Sequence, residues 1–260
     1  GQSMASALRS VSRRLLSSTG AMAMPQAEVV EAGRSTFQPI ANVWCIGRNY
    51  AAHAKELGNS VPTEEPVLFL KSSSSVSQLT GGNTLAALEA GSPIAAEEIH
   101  YEAELVLLIG EHVPRGSLAA GDELRCLRAV GLGLDLTRRG KQTELKKAGL
   151  PWSVSKAFEG SAALTPFLPA SVLTNADLPN ISFELAINET VKQIGKVDHM
   201  IFDIPFQLRY VNQLVPLLPG DLLFTGTPEG VGPIRRGDNV RMRFLSPESL
   251  SHLQVLAPVQ

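Results

Sequence analysis

What most limits how this chain can fold is a succession of short apolar segments, each cut off by glycine, proline, asparagine or aspartate within the length of a strand. Val43 to Ile46, Val67 to Leu70, Ala103 to Ile109, Ala129 to Thr137, Ile181 to Ile187, Asp221 to Thr225 and Val240 to Phe244 all follow this pattern and read as β-strands. Helical signals are confined to Tyr50 to Leu57, to Thr137 to Ala148 stopped by Gly149 and Pro151, and to Ile204 to Leu214 with Pro205 in its first turn. Strands and helices do not alternate, which disfavours a doubly wound parallel sheet and predicts an α+β, β-rich fold. The serine run Ser72 to Ser75, followed by Gly81-Gly82, reads as a flexible surface connection.

With 260 residues, 44% hydrophobic and 18% charged, the chain can bury a core without disulfides or a structural metal. It shows no internal repeat, so residues 26–260 are expected to form one domain. A net charge of -2 supplies no broad positive field, which argues against a nucleic-acid partner. Cys45 and Cys126 lack CxxC spacing and read as reduced core thiols. The best apolar run, Leu105 to Ile109, is far short of the ~20 residues that cross a bilayer, so no membrane association is expected.

Residues 1–25 are set aside from fold reasoning. Gly1-Gln2-Ser3 reads as a cloning remnant, and the segment from Met4 carries Arg9, Arg13, Arg14 and several serines with no acid before Glu28. That is the composition of a mitochondrial transit peptide, with Leu8, Val11 and Leu15 opposite the arginines on a helical wheel. A mitochondrial, matrix location is expected, with the cytosol as the alternative.

The segment richest in chemistry is His100 to Ile109, read as one strand, in which Glu102 and Glu104 are one residue apart. A side-chain period of two puts both carboxylates on one face. Paired carboxylates repel and are costly to bury, so a cation between them explains the arrangement; a solvated strand face accommodates the same spacing. In Gly131 to Thr137, Asp135 shares a face with Gly131 and Gly133, whose missing side chains leave room for a ligand. Three carboxylates suit a hard ion, Mg²⁺ first and Mn²⁺ as substitute.

Other candidates stand elsewhere in the chain. His53 and Glu56 sit at i and i+3 of a short helix, where a carboxylate can orient an imidazole for proton transfer, although a surface ion pair has the same spacing. Lys156 lies among apolar and aromatic neighbours, suited to neutralising an enolate or, equally, to snorkelling at the surface. The turn-rich Thr225 to Gly232 offers backbone amides as an anion nest, or is an ordinary β-turn.

Taken together, Gly47-Arg48-Asn49-Tyr50, Pro66 to Lys71, Glu102-Ala103-Glu104, Leu134 to Thr137, Gly149 to Trp152, Met200-Ile201-Phe202 and Thr225 to Pro228 occur in an order that resembles the fumarylacetoacetate hydrolase superfamily over about residues 41 to 245. The likeness is to its mitochondrial acylpyruvase and oxaloacetate decarboxylase or tautomerase branch. The resemblance implies a mixed β-sandwich roll with flanking helices, a homodimer, and Mg²⁺ held by Glu102, Glu104 and Asp135. It also implies a His53–Glu56 catalytic dyad on a closing segment, Lys156 against the enolate oxygen, and substrate contacts from Arg48, Lys71, Arg139, Gln142 and Thr227. Ser72 and Gly140 depart from the pattern, where relatives carry proline and more often an acid.

The expected activity is Mg²⁺-dependent hydrolysis of acylpyruvates or decarboxylation of oxaloacetate, on a small β-dicarbonyl acid. Oxaloacetate keto–enol tautomerisation is the alternative, and a non-catalytic binder of metal and dicarboxylate the second. An isomerase of longer unsaturated dioates is the runner-up among other enzymes.

Overall fold

Ala103–Ile109 and Leu127–Asp135 pair antiparallel at the middle of the largest sheet, and nearly every residue in both is buried. Strands covered on both faces cannot alternate polar with apolar side chains, which explains the continuous run of Leu, Val and Ile. The computed structural model describes residues 24–79, 94 and 96–259. Across this sheet the order is Val67–Lys71, Val43–Gly47, Leu222–Phe224, Ala103–Ile109, Leu127–Asp135, Ala162–Leu164 and Val76–Gln78, with Leu168–Pro169 also pairing to Leu127–Asp135. Leu222–Phe224 runs parallel to Val43–Gly47, and Ala162–Leu164 to Val76–Gln78, so the sheet is mixed.

A second sheet, Thr190–Lys196, Ser182–Ile187, Asn239–Ser246 and Gln254–Pro258, is wholly antiparallel. Its inward residues Phe183, Leu185, Met242 and Phe244 share one core with Leu105, Leu107, Leu132 and Leu134. On the opposite face of the large sheet Val106, Leu108, Ala129, Phe167 and Phe224 form another core. A small third sheet joins Gly232–Pro233, Ile99–Tyr101 and Thr137–Arg138, and a hairpin of Gln26–Glu31 and Arg34–Pro39 precedes them all. The β-rich, α+β architecture expected from the sequence is therefore the one observed.

Four α-helices occur among the described residues: α1 Ala51–Glu56, α2 Arg139–Ala148, α3 Ser153–Lys156 and α4 Ile204–Leu214. α2 ends where Gly149 adopts φ +65°, a conformation that glycine enters without steric cost. α4 begins at Asp203, whose carboxylate accepts the Phe206 N–H at 2.7 Å. Among the described residues, no helix is long and apolar enough to cross a membrane.

Three local expectations change. His100 to Ile109 is not one strand: Ile99–Tyr101 belongs to the small sheet, Ala103–Ile109 to the large one, and Glu102 lies at the break. Thr137 and Arg138 are extended rather than helical, because they pair with Ile99 and His100 before α2 starts. Ser72 to Ser75 is an ordered turn: the Ser72 hydroxyl accepts the Ser74 N–H at 3.3 Å, Ser75 is buried, and the next strand pairs with Ala162–Leu164. Gly81-Gly82, and all of the arginine-rich segment up to residue 23, lie outside the described residues.

Candidate metal centre and substrate cavity

Glu104 projects from the large sheet opposite Gly133, and Asp135 ends the neighbouring strand, where its N–H donates to the Glu102 carbonyl at 2.8 Å. That bond draws the strand break toward Asp135, so the three carboxylates converge although only Glu104 and Asp135 lie within strands. One oxygen from each falls within 4.8 Å of the others, and all three side chains are buried. The glycines act differently from expectation. A Cβ on Gly133 would lie 2.8 Å from the Phe224 ring and 2.9 Å from Val106, and one on Gly131 would lie 2.9 Å from Phe167. Aromatic rings, rather than a ligand, fill the space beside them.

Lys156 is fully inside this cluster. Its ammonium donates to Glu102 Oε2 at 2.8 Å, Asp135 Oδ2 at 2.5 Å and Thr137 Oγ1 at 2.7 Å. Burial opposes its charge, but Asp135 and Glu102 outweigh burial and raise its pKa above the ordinary lysine value. Lys71 lies 2.8 Å from Asp135 Oδ1 and donates to the Leu136 and Lys156 carbonyls. The Lys71–Asp135 contact is an ion pair without hydrogen-bond geometry, and Asp135 Oδ1 is left with no hydrogen-bond donor. Lys71 does not line the cavity.

Burial tends to raise the Glu102 pKa, but Lys156, Arg139 and His53 reverse this and hold the carboxyl well below its usual range. Glu104 goes the other way: burial, then repulsion from Asp135 and Glu102, push it well up, and the Gly226 N–H at 2.6 Å offsets this only in part. A Glu104 short of positive partners, an Asp135 oxygen met only by the Lys71 ammonium and an all-carboxylate donor set together fit a hard divalent cation.

The cavity in front of these groups is lined also by Arg48, His53, Arg139, Gln142, Lys146, Trp152 and Thr227. His53 is buried, with Nδ1 3.6 Å from Glu56 Oε2 and without a hydrogen-bond partner. The two are neighbours at charge-contact distance, too far apart for a hydrogen bond. Glu56 instead accepts the Gly230 N–H at 3.1 and 3.2 Å. Burial lowers the His53 pKa, with Glu102 opposing. The turn after Phe224 does receive carboxylates, but they are the protein's own Glu104 and Glu56. Thr227 donates to the Ala103 carbonyl at 2.8 Å and accepts from Gln193 at 2.8 Å.

Arg48 adopts φ +58°, a strained backbone for a side-chain-bearing residue. Its guanidinium lies 5.8 Å from the Trp152 ring centroid, and its Nε has no hydrogen-bond partner. Arg139 donates to Glu102 Oε1 at 2.5 Å and Gln142 Oε1 at 2.7 Å. Lys146 escaped the sequence reading. Its ammonium lies 5.3 Å from the Trp152 centroid, and burial, then Arg48 and Arg139, push its pKa down to about 8. Arg139, Gln142 and Lys146 follow i, i+3, i+7 spacing on α2, so the shared helix face was a signal available in the sequence.

Comparison with known proteins matches residues 42–255 to the family described as fumarylacetoacetate (FAA) hydrolase C-terminal. The mitochondrial oxaloacetate tautomerase FAHD2 of Oryza sativa subsp. japonica is 39% identical over 199 residues, covering 75% of this chain and 83% of that protein. A mitochondrial oxaloacetate decarboxylase of Dictyostelium discoideum is 36% identical over 197 residues, covering 75% and 85%. The fumarylpyruvate hydrolase of Pseudomonas aeruginosa, crystallised with Mn²⁺ and pyruvate, superposes with a TM-score of 0.77 at 31% identity, over 93% of this chain and 100% of that one. By family profile, sequence relatives and fold alike, the chain belongs to the fumarylacetoacetate hydrolase family.

Proposed function

We propose that this protein is a divalent-metal-dependent enzyme acting on a small β-dicarbonyl acid, with oxaloacetate keto–enol tautomerisation as its reaction. The observation that carries this reading is the convergence of Glu102, Glu104, Asp135, Lys156 and His53 on one cavity. The names of the oxaloacetate-handling relatives support it, and move tautomerisation ahead of the hydrolysis that the sequence put first. Glu102, Glu104 and Asp135 are assigned to hold the ion, Mg²⁺ first and Mn²⁺ as substitute. When bound, the ion supplies Lewis-acid polarisation of the substrate's keto group.

The remaining steps belong to the side chains. His53, neutral through burial, takes a proton from C3 of the substrate, the C3–H pair moves into the C2–C3 bond, and the keto pair moves onto oxygen. The Lys156 ammonium lies among the carboxylates where it can oppose negative charge on that oxygen. Returning the proton to oxygen gives the enol. Arg139, Gln142 and Lys146 form the polar wall that binds the substrate's carboxylates, with Arg48 beside Trp152 at the same cavity.

A second reading is acylpyruvate hydrolysis or oxaloacetate decarboxylation; the hydrolysis is favoured by the unpartnered Nδ1 of His53, which leaves the ring free to act on water. A protein that binds without turnover has no use for a buried neutral imidazole in this cavity. A mitochondrial location is supported by the relatives' names and by the arginine-rich composition before Glu28, and the matrix is the compartment we assign within it. Homodimer assembly gives a mass near twice 27.8 kDa in light scattering.

The test is a comparative assay of keto-oxaloacetate, enol-oxaloacetate and acetylpyruvate with and without Mg²⁺. Metal-dependent interconversion of the two oxaloacetate forms, faster than loss of carbon dioxide or release of acetate, is the expected result. Cleavage of acetylpyruvate outpacing interconversion replaces it with the second reading.

A further inference from the structure

Glu98 and His100, which lead to Arg139 beside the cavity, play no part in the chemistry above. His100 Nε2 lies 2.6 Å from Glu98 Oε1, and His100 Nδ1 lies 3.3 Å from Arg139 Nε. A guanidinium donates and never accepts, so Nδ1 must carry the lone pair and Nε2 the hydrogen. Glu98, as acceptor, selects that tautomer.

The neighbouring pair follows a separate route. Arg138 binds the Glu97 carboxylate and donates to the Val154 carbonyl at 2.8 Å, tying α2 to α3. Consecutive acids therefore reach consecutive arginines, Glu97 directly and Glu98 through an imidazole. Arg139 is gripped at Nε by His100, at one terminal nitrogen by Gln142 and at the other by Glu102. Two anchors from the stretch His100 to Glu102 and one from α2 itself fix the guanidinium plane and leave its remaining N–H donors for a ligand oxygen.

We propose that His100, oriented by Glu98, is a positioning residue that sets the plane of Arg139 for an anionic group of the substrate. This rests on the reading of Arg139 as a substrate contact. His100→Leu raises the KM for oxaloacetate by about tenfold and leaves kcat within about twofold of wild type. His100→Asn, whose amide oxygen sits near the place of Nδ1, restores most of the lost affinity. Glu98→Ala, a change at an exposed side chain that spares folding, raises KM in the same direction by about two- to threefold. In an Arg139→Lys background, which has no Nε, His100→Leu adds nothing further.

A readout independent of turnover separates the two claims. In ¹⁵N-resolved NMR the Arg139 Nε–H exchanges slowly in the wild type and in His100→Asn, and rapidly in His100→Leu. Slow exchange retained in His100→Leu, a wild-type KM in Glu98→Ala, or multiplicative effects of the two substitutions overturns the positioning role. Fast exchange with an unchanged KM in His100→Leu establishes the positioning and overturns Arg139 as a substrate contact instead.

Discussion

The strands that present Glu104 and Asp135 and the short helix that presents His53 are held in place by different means. Ala103–Ile109 is buried along its whole length and hydrogen-bonded on both sides, to Leu222–Phe224 and to Leu127–Asp135. α1 has six residues, no side-chain N-cap bond, and only His53 and Ala54 buried. Its approach is fixed by Asn49, whose amide donates to the Phe202 and Thr225 carbonyls, and its exit by the Glu56 contact to Gly230. Local opening of a segment held by a few hydrogen bonds costs much less than opening the centre of a sheet. The cation-holding and proton-moving parts should therefore respond separately to mutation.

Removing a ligand tests the rigid side most severely. Asp135→Asn keeps the shape but deletes a buried charge shared with Lys156 and Lys71. Titration calorimetry is expected to show no Mg²⁺ binding, and turnover falls to the uncatalysed background. Full metal-dependent turnover in this variant refutes the centre.

His53→Gln strikes the other side. It lowers kcat by about 10²–10⁴-fold and leaves calorimetric Mg²⁺ affinity unchanged, because His53 is no ligand. The pH profile sharpens the assignment. A base works neutral, and burial lowers the His53 pKa below the ordinary 6.5, so wild-type kcat/KM holds through pH 6.5 and falls only as pH drops through the lowered value. That acid limb vanishes in His53→Gln; its persistence moves the base to another residue.

The same contrast explains what could be read in the sequence. Central strands such as Ala103–Ile109, and α4 with Pro205 in its first turn, were legible because burial and helix starts write themselves into residue type. The strands Arg34–Pro39 and Thr190–Lys196 were not, since their side chains are largely exposed and their pairing rests on backbone bonds. In the site, Glu102, Glu104 and Asp135 stood out through spacing and resemblance. The break at Glu102 did not, because it arises from two strands joining different sheets. Gly133 was read as space for a ligand, whereas Phe224, distant in sequence, occupies that space.

A paired substitution measures the difference in rigidity. Gly133→Ala drives a methyl against Phe224 and Val106 and lowers stability in urea by about 1–3 kcal/mol, with weaker Mg²⁺ binding as the strand shifts. Ala52→Gly on the exposed side of α1 costs about 1 kcal/mol or less. It lowers kcat while metal affinity stays at wild type. Equal loss of metal affinity in both variants removes the distinction between the two regions.

The smallest expected effect lies where the two regions meet, at Lys146. Its ammonium and the Arg48 guanidinium both lie over the Trp152 ring, and burial with Arg48 and Arg139 nearby pushes its pKa down to about 8. A cation attracts a carboxylate only while protonated, so its contribution is present below this pKa and is lost as pH rises through about 8. A half-buried ion pair contributes about 0.2–1 kcal/mol, which sets the rise in KM for a dicarboxylate at about two- to fivefold with kcat unaffected. Lys146→Met shows the higher KM already at neutral pH and no further rise above it. Lys146→Arg, permanently charged, keeps the low KM at alkaline pH. A KM that climbs through the same pH range in Lys146→Met assigns the titration elsewhere and leaves Arg139 as the principal anion contact on α2.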